Sequence, residues 1–207
     1  GFVETVYART GMWDKARPTE GAYSALLTFH SGAFASLTYS GYGFYDSDAQ
    51  MDAVGEMGRP KPALAHQQTR RKLAAAVSEA EEARLKAERN FGGADYVPEL
   101  GEAPSAFQHF GPVLVCCDKA DLRLTPAGVE VHDAQGVRLE ALEVPPVPRS
   151  EVVDELWAVA REGRAPLHDG RWSRGTLEVC LAILESARGH GDIMLRHQFE
   201  LPASTAP

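Results

Sequence analysis

Several things are scarce in this 207-residue chain, and each scarcity removes a class of protein. Basic residues are outnumbered, 21 Lys and Arg against 29 Asp and Glu, a net charge of −8. An acidic chain is a poor partner for nucleic acid or an anionic membrane, because neither phosphate backbone nor headgroup finds compensating charge. No apolar run reaches the roughly 20 residues that span a bilayer, and the N-terminus lacks the basic-then-apolar pattern of a signal peptide. Cysteine is nearly absent. Cys116 and Cys117 are adjacent and Cys180 is remote, and adjacent strand residues point to opposite faces, so no disulfide framework is expected. The expectation is instead of buried, reduced thiols in a cytoplasmic protein.

Catalytic signatures are missing too. There is no phosphate loop, Gly-x-Ser-x-Gly elbow or His-Glu-x-x-His pair. The seven histidines contain no i, i+4 pair and have no neighbouring cysteine, which argues against a metal site. Gly41-Tyr42-Gly43 follows a strand, but Asp46 stands where a dinucleotide fingerprint needs its third glycine. Neither catalytic nor cofactor-binding nor metal residues are therefore assigned.

What is present reads as strands followed by helices. Residues 3–9 are rich in β-formers. Residues 22–29 and 33–40 alternate around His30-Ser31-Gly32 and predict a hairpin. A further strand is expected over 49–56. Residues 63–77 favour helix, and Ser78 with Glu81 opens a second, charged helix, so 59–105 reads as a helical insertion. Residues 113–117 lack alternation, as a strand buried on both faces would. A meander follows through 121–125, 129–132 and 137–144. Two helices come last: the first is capped by Ser150, with Val153, Leu156, Trp157 and Ala160 as its stripe, and the second runs from about Trp172, with Leu177, Cys180, Leu181, Leu184 and Ala187 on one face. A strand at 193–195 closes the chain. The expected class is α+β: one large, mostly antiparallel sheet with helices on one face and the other left open as a partner surface. Two polar clusters could be sites. Tyr42, Tyr45 and Asp46 follow the hairpin and could wall a pocket, or pack beside a glycine bulge at the sheet edge. His168-Asp169-Gly170-Arg171-Trp172 could be functional, or simply a turn and a helix cap.

The segments Glu20-Gly21-Ala22-Tyr23 to Phe29, Gly32-Ala33-Phe34-Ala35 to Ser40, Val54-Gly55-Glu56-Met57-Gly58, and Ala182 to Arg188 with Gly191 resemble, in order and spacing, the C-terminal domain of the Gfo/Idh/MocA oxidoreductases. Arg17-Pro18-Thr19-Glu20-Gly21-Ala22-Tyr23 and the helical insertion look most like the phthalate 4,5-dihydrodiol (dihydroxyphthalate) dehydrogenase branch. The resemblance implies an NAD(P)-dependent dehydrogenase of hydroxylated small molecules, dihydrodiols or sugar-like. Its N-terminal Rossmann domain, absent from this chain, would hold the cofactor. This single domain, 1–207, would supply substrate wall and oligomer interface. The family's Glu-Lys-Pro lysine and Asp-x-x-x-His helix are not here; Lys61-Pro62 is preceded by Pro60, and no histidine has an aspartate four residues before it. The resemblance raises Tyr45 and Asp46 as substrate contacts, with Tyr42 added by proximity. With Gly1 leading directly into a strand, the expectation is a piece starting just after the catalytic helix, inactive by itself. The alternative is a self-contained binding or assembly module. An independent hydrolase would need a nucleophile–base pair that is not readable.

Overall fold

The computed structural model describes residues 2–15, 21–76, 78–97 and 103–199. Of the resemblance-bearing stretch, Arg17 to Glu20 lie outside the described residues. The fold is α+β with antiparallel strands, and the chain divides into two compact units, 1–43 with 155–207, and 44–154. Among the described residues the strands form two four-stranded sheets, one in each unit, where the sequence suggests a single large one.

In the first unit the order is β3 (Phe34–Ser40), β2 (Ala22–Phe29), β1 (Val3–Gly11), β8 (Ile193–Met194). The predicted hairpin forms around the 30–32 turn with Ala25 opposite Leu37 and Leu27 opposite Ala35. Because strand side chains alternate, Val6, Ala8, Ala25 and Leu27 share one face, and that face is buried against helix α4 (Gly170–Gly189). The opposite face carries Tyr7, Leu26 and Phe34, all exposed, among Thr5, Ser24 and Thr28.

Helix α4 does not bury the expected stripe. Leu177 and Leu181 are more than half exposed, whereas Ala182, Ile183 and Ser186 are buried, with Val179 packed beside them. The face turned to the sheet is the one with small side chains, which lets the helix axis come close to β1. Ser186 is fully buried. Its Oγ accepts the Ala8 N–H of β1 at 2.8 Å and donates to the Gly191 carbonyl at 2.6 Å. Strand β8 pairs with only Thr5 and Val6 of β1, so the serine hydroxyl takes the place of a ladder partner at Ala8. Helix α3 (Ser150–Glu162) also departs from expectation. Val153, Leu156 and Trp157 are exposed and Ala158 is its one buried residue, and Ser150 is the first helical residue, not the cap.

The second unit holds α1 (Ala65–Ala75), α2 (Glu79–Glu88) and the meander β4 (Leu114–Cys116), β5 (Ala120–Thr125), β6 (Gly128–Asp133), β7 (Gly136–Ala141), in that order. Ser78 caps α2 as expected, accepting the Glu81 N–H at 3.2 Å. Two corrections fall here. Residues 49–56 are not a strand: Asp46 caps a 3-10 helix over Ser47–Met51, and Asp52 and Ala53 are both left-handed, at φ 54° and 55°, a backbone no strand accommodates. Strand β4 is exposed, because it is the sheet's edge. All three cysteines are free and exposed, not buried. No helix among the described residues is long and apolar enough to cross a membrane.

Replacing Ser186 by Ala leaves the Ala8 N–H buried without a partner, which costs about 1–3 kcal/mol. Urea unfolding of Ser186→Ala should shift to lower midpoint by that amount. An unchanged midpoint would show that the hydroxyl has no structural role.

Candidate functional site

The predicted site residues fall in different units. Tyr45 and Asp46 belong to the second and Tyr42 to the first. Asp46 sits at the entrance of the 3-10 helix and accepts the Asp48 N–H at 3.3 Å. Beyond Asp52 and Ala53 the chain doubles back: Val54 bridges to Pro60 and the Lys61 N–H bonds the Ala53 carbonyl at 2.8 Å. This return places Lys61 Nζ 2.7 Å from an oxygen of Asp46 and 2.7 Å from one of Asp48. The three side chains are each less than a third exposed. Partial burial works against charge on Asp46, but the Lys61 hydrogen bond and the Asp48 N–H outweigh it and hold its carboxyl below the usual value. At Lys61 burial again opposes charge, and the two carboxylates override it, so its ammonium is held above the usual value. The cluster is a fixed ion triad carrying one net negative charge. It can accept hydrogen bonds from hydroxyl groups, but a lysine held protonated is not a nucleophile or a base. Tyr45 is exposed, with its hydroxyl 3.4 Å from Gln50 Nε2. The Arg70 guanidinium lies 3.8 Å from the Phe44 ring centroid.

His109, which the sequence did not single out, is buried in the same unit. Its Nδ1 accepts the Gly111 N–H at 3.1 Å and its Nε2 lies 2.9 Å from the Val54 carbonyl, so the neutral Nε2–H form satisfies both partners. It pins the loop behind the triad and is structural.

In the first unit, Tyr42 Oη accepts the Gly21 N–H at 3.2 Å and its ring packs 5.5 Å from Trp13. The His168–Trp172 cluster resolves into a cap. Asp169 accepts the Arg171 and Trp172 N–H groups at 2.8 and 3.0 Å, while Glu155 receives the His168 N–H at 2.8 Å and its Nδ1 at 2.6 Å. A cleft of about 660 Å³ runs along α4 and β8, with Leu177, Leu181 and Met194 in its wall. Glu178 in that wall is committed to the Arg196 and His197 N–H groups and the Gln198 amide.

The described residues do not fit a dinucleotide. Gly41-Tyr42-Gly43 leads through a turn to the short 3-10 helix, so no α-helix N-terminus faces it to receive a pyrophosphate. No group of three His, Cys, Asp or Glu side chains among the described residues has metal-binding geometry. Lys61 and Trp13, besides His109, have local surroundings in the sequence that carry little sign of a site. The first was legible only as a failed Lys-Pro motif, and the second had a signal in its position just after a strand ending in glycine.

No family model matches the chain. Over 188 residues, 91% of its length, it is 37% identical to 1-carboxy-3-chloro-3,4-dihydroxycyclohexa-1,5-diene dehydrogenase of Comamonas testosteroni, of which it covers 47%. A provisionally named dehydrogenase from Bordetella bronchiseptica RB50 has a solved structure that superposes with a TM-score of 0.80 at 36% identity, over 94% of this chain and 50% of that one. An oxidoreductase from Agrobacterium radiobacter, solved with NAD+, L-tartaric acid and magnesium, shares the fold at a TM-score of 0.55 and 12% identity, over 94% of this chain and 44% of its own. The chain spans about half the length of the relatives it matches.

Lys61→Met should leave Asp46 and Asp48 facing each other without a counter-ion and lower stability by about 1–2 kcal/mol in urea at neutral pH, a value discounted for partial exposure. The depressed Asp46 contributes stability fully above its ordinary value of 3.8, and that contribution is lost as pH falls through the lower folded value. Acid unfolding profiles should therefore be flatter in Lys61→Met than in the parent. Parallel profiles would show that the triad is not coupled to folding.

Proposed function

We propose that the chain is the C-terminal, substrate-binding and oligomerisation half of a Gfo/Idh/MocA-type, NAD(P)-dependent dehydrogenase of ring-carboxylate dihydrodiols, a reading supported by its likeness to about half the length of two dehydrogenases. The observation that carries this reading is the 37% identity, across nine-tenths of the chain, to a dehydrogenase whose named substrate is a carboxylated, dihydroxylated cyclohexadiene. The phthalate-dihydrodiol resemblance of the 17–23 segment points to the same substrate class. In such a reaction the carbinol C–H bond breaks with its electron pair going to the nicotinamide, the hydroxyl proton goes to a base, and the resulting carbonyl enolises into the aromatic diol. The chain assigns neither hydride acceptor nor base. Its part is to contact the substrate, through Tyr45 and Asp46 of the second unit or through Tyr42 of the first, whose carboxylate and phenol oxygens can accept from ring hydroxyls. The free, exposed thiols support a reducing, cytoplasmic setting.

The open face of the first sheet supports the oligomeric part of the proposal. Tyr7, Leu26 and Phe34 are 37%, 43% and 74% exposed on the side away from α4. Apolar groups presented together on a sheet face are commonly covered by another chain. A self-contained binding module remains the competing reading, favoured by the aromatic groups that the first unit gathers on its own.

Two measurements test this. Incubated with NAD(P)+ and a cis-dihydrodiol carboxylate, the 207-residue chain should form no NAD(P)H, whereas the same chain joined to an N-terminal Rossmann half should. Turnover by the chain alone would overturn the assignment. In sedimentation velocity at micromolar concentration the chain should run as a dimer or larger, and Phe34→Arg should shift it toward monomer; a monomeric parent would remove the oligomer-face argument.

A further inference from the structure

Two aromatic contacts gather at one end of the first sheet. Tyr23 and Tyr39 are a cross-strand pair with ring centroids 5.8 Å apart and nearly parallel planes. Beyond them, past the last residues of β1 and β3, Trp13 and Tyr42 meet at 5.5 Å with their planes inclined by 47°. Ala22 pairs with both Gly11 and Ser40, which brings these chain ends level. Both outer rings lie on glycine. A Cβ at Gly11 would stand 2.7–2.8 Å from three indole atoms of Trp13, and one at Gly21 would stand 2.6 Å from the Tyr42 phenol carbon and oxygen. A side chain at either position would displace the ring, so each ring is laid directly against main chain. Yet Trp13 is 69% exposed. One side of the indole is seated on β1 and the other is open, above a wedge whose second wall is Tyr42.

An open indole packed on main chain beside an inclined phenol is suited to a flat ring, since offset or tilted aromatic contacts are the favoured geometries. Resting on the substrate class proposed above, we infer that Trp13, seated on Gly11 and flanked by Tyr42, is the ring-stacking subsite of this domain and selects a planar unsaturated six-membered ring over a saturated one. The contact is a specificity determinant. It orients the ring plane and takes no part in proton or hydride transfer.

The test uses the 207-residue chain with 3,4-dihydroxybenzoate as the flat ring and 3,4-dihydroxycyclohexanecarboxylate as its saturated counterpart. The chain has three tryptophans, at 13, 157 and 172, so Trp13→Phe assigns the Trp13 indole N–H signal in a 15N-resolved spectrum. The flat ring should move that signal and leave those of Trp157 and Trp172 in place. Its affinity should fall about 3- to 10-fold in Trp13→Ala and be largely kept in Trp13→Phe. It should fall again in Gly11→Ala, which keeps the indole but removes its seat. The saturated ring should bind more weakly than the flat one and be insensitive to Trp13→Ala. Flat-ring binding unchanged in both Trp13→Ala and Gly11→Ala would overturn the subsite while leaving the substrate reading in place. Equal binding of the two rings would overturn the selectivity. Binding of neither ring to the parent chain would overturn the subsite and the substrate reading together.

Discussion

A single buried hydroxyl sets the arrangement of the first unit. Ser186 closes a gap that its neighbours cannot: β8 is too short to pair with β1 at Ala8, and the Ser186 oxygen accepts that N–H while passing its own proton to Gly191. A larger residue at 186 would push α4 off the sheet, and one without a hydroxyl would strand a buried donor. Alanines and glycine on the same side of the helix follow from the same requirement for close approach. The leucines that might be expected inside then face outward, along the cleft beside β8.

The second unit is organised by electrostatics at its start. Lys61 is fixed between Asp46 and Asp48 because two consecutive left-handed residues reverse the chain between them. The reversal costs backbone energy, and the doubly bridged ammonium, with His109 holding the loop from behind, offsets it. The triad thus keeps a stable negative patch on a loop that would otherwise have little reason to adopt one shape. That is a useful surface toward hydroxylated molecules and a poor one for chemistry, since Asp46 and Lys61 are held in their charged forms.

The two units therefore offer surfaces of different character: aromatic and glycine-seated in the first, anionic and lysine-locked in the second. On the proposed function a domain of this kind would add selectivity to a reaction whose difficult step is carried by a cofactor, and the chain matches about half the length of two dehydrogenases.

The sequence by itself determined the α+β class, the 22–40 hairpin, the meander of β5 to β7 and the Ser78 cap, because alternation, turn glycines and capping side chains act within a few residues of one another. It also determined the kinship, through the order of segments such as Ala22–Phe29 and Ala182–Arg188. What it left open was which side of each helix turns inward. On α4, leucine size pointed one way and close packing with Ser186 pointed the other, and only the presence of β1 decides between them. Likewise the stretch from Asp46 through the 49–56 segment to Lys61 is of ambiguous pattern until the reversal at Asp52 and Ala53 brings charge to charge, and Trp13 is one aromatic residue among many until Gly11 is seen beneath it. Contacts between residues far apart in the chain leave no local period to read, so tertiary structure alone could assign them.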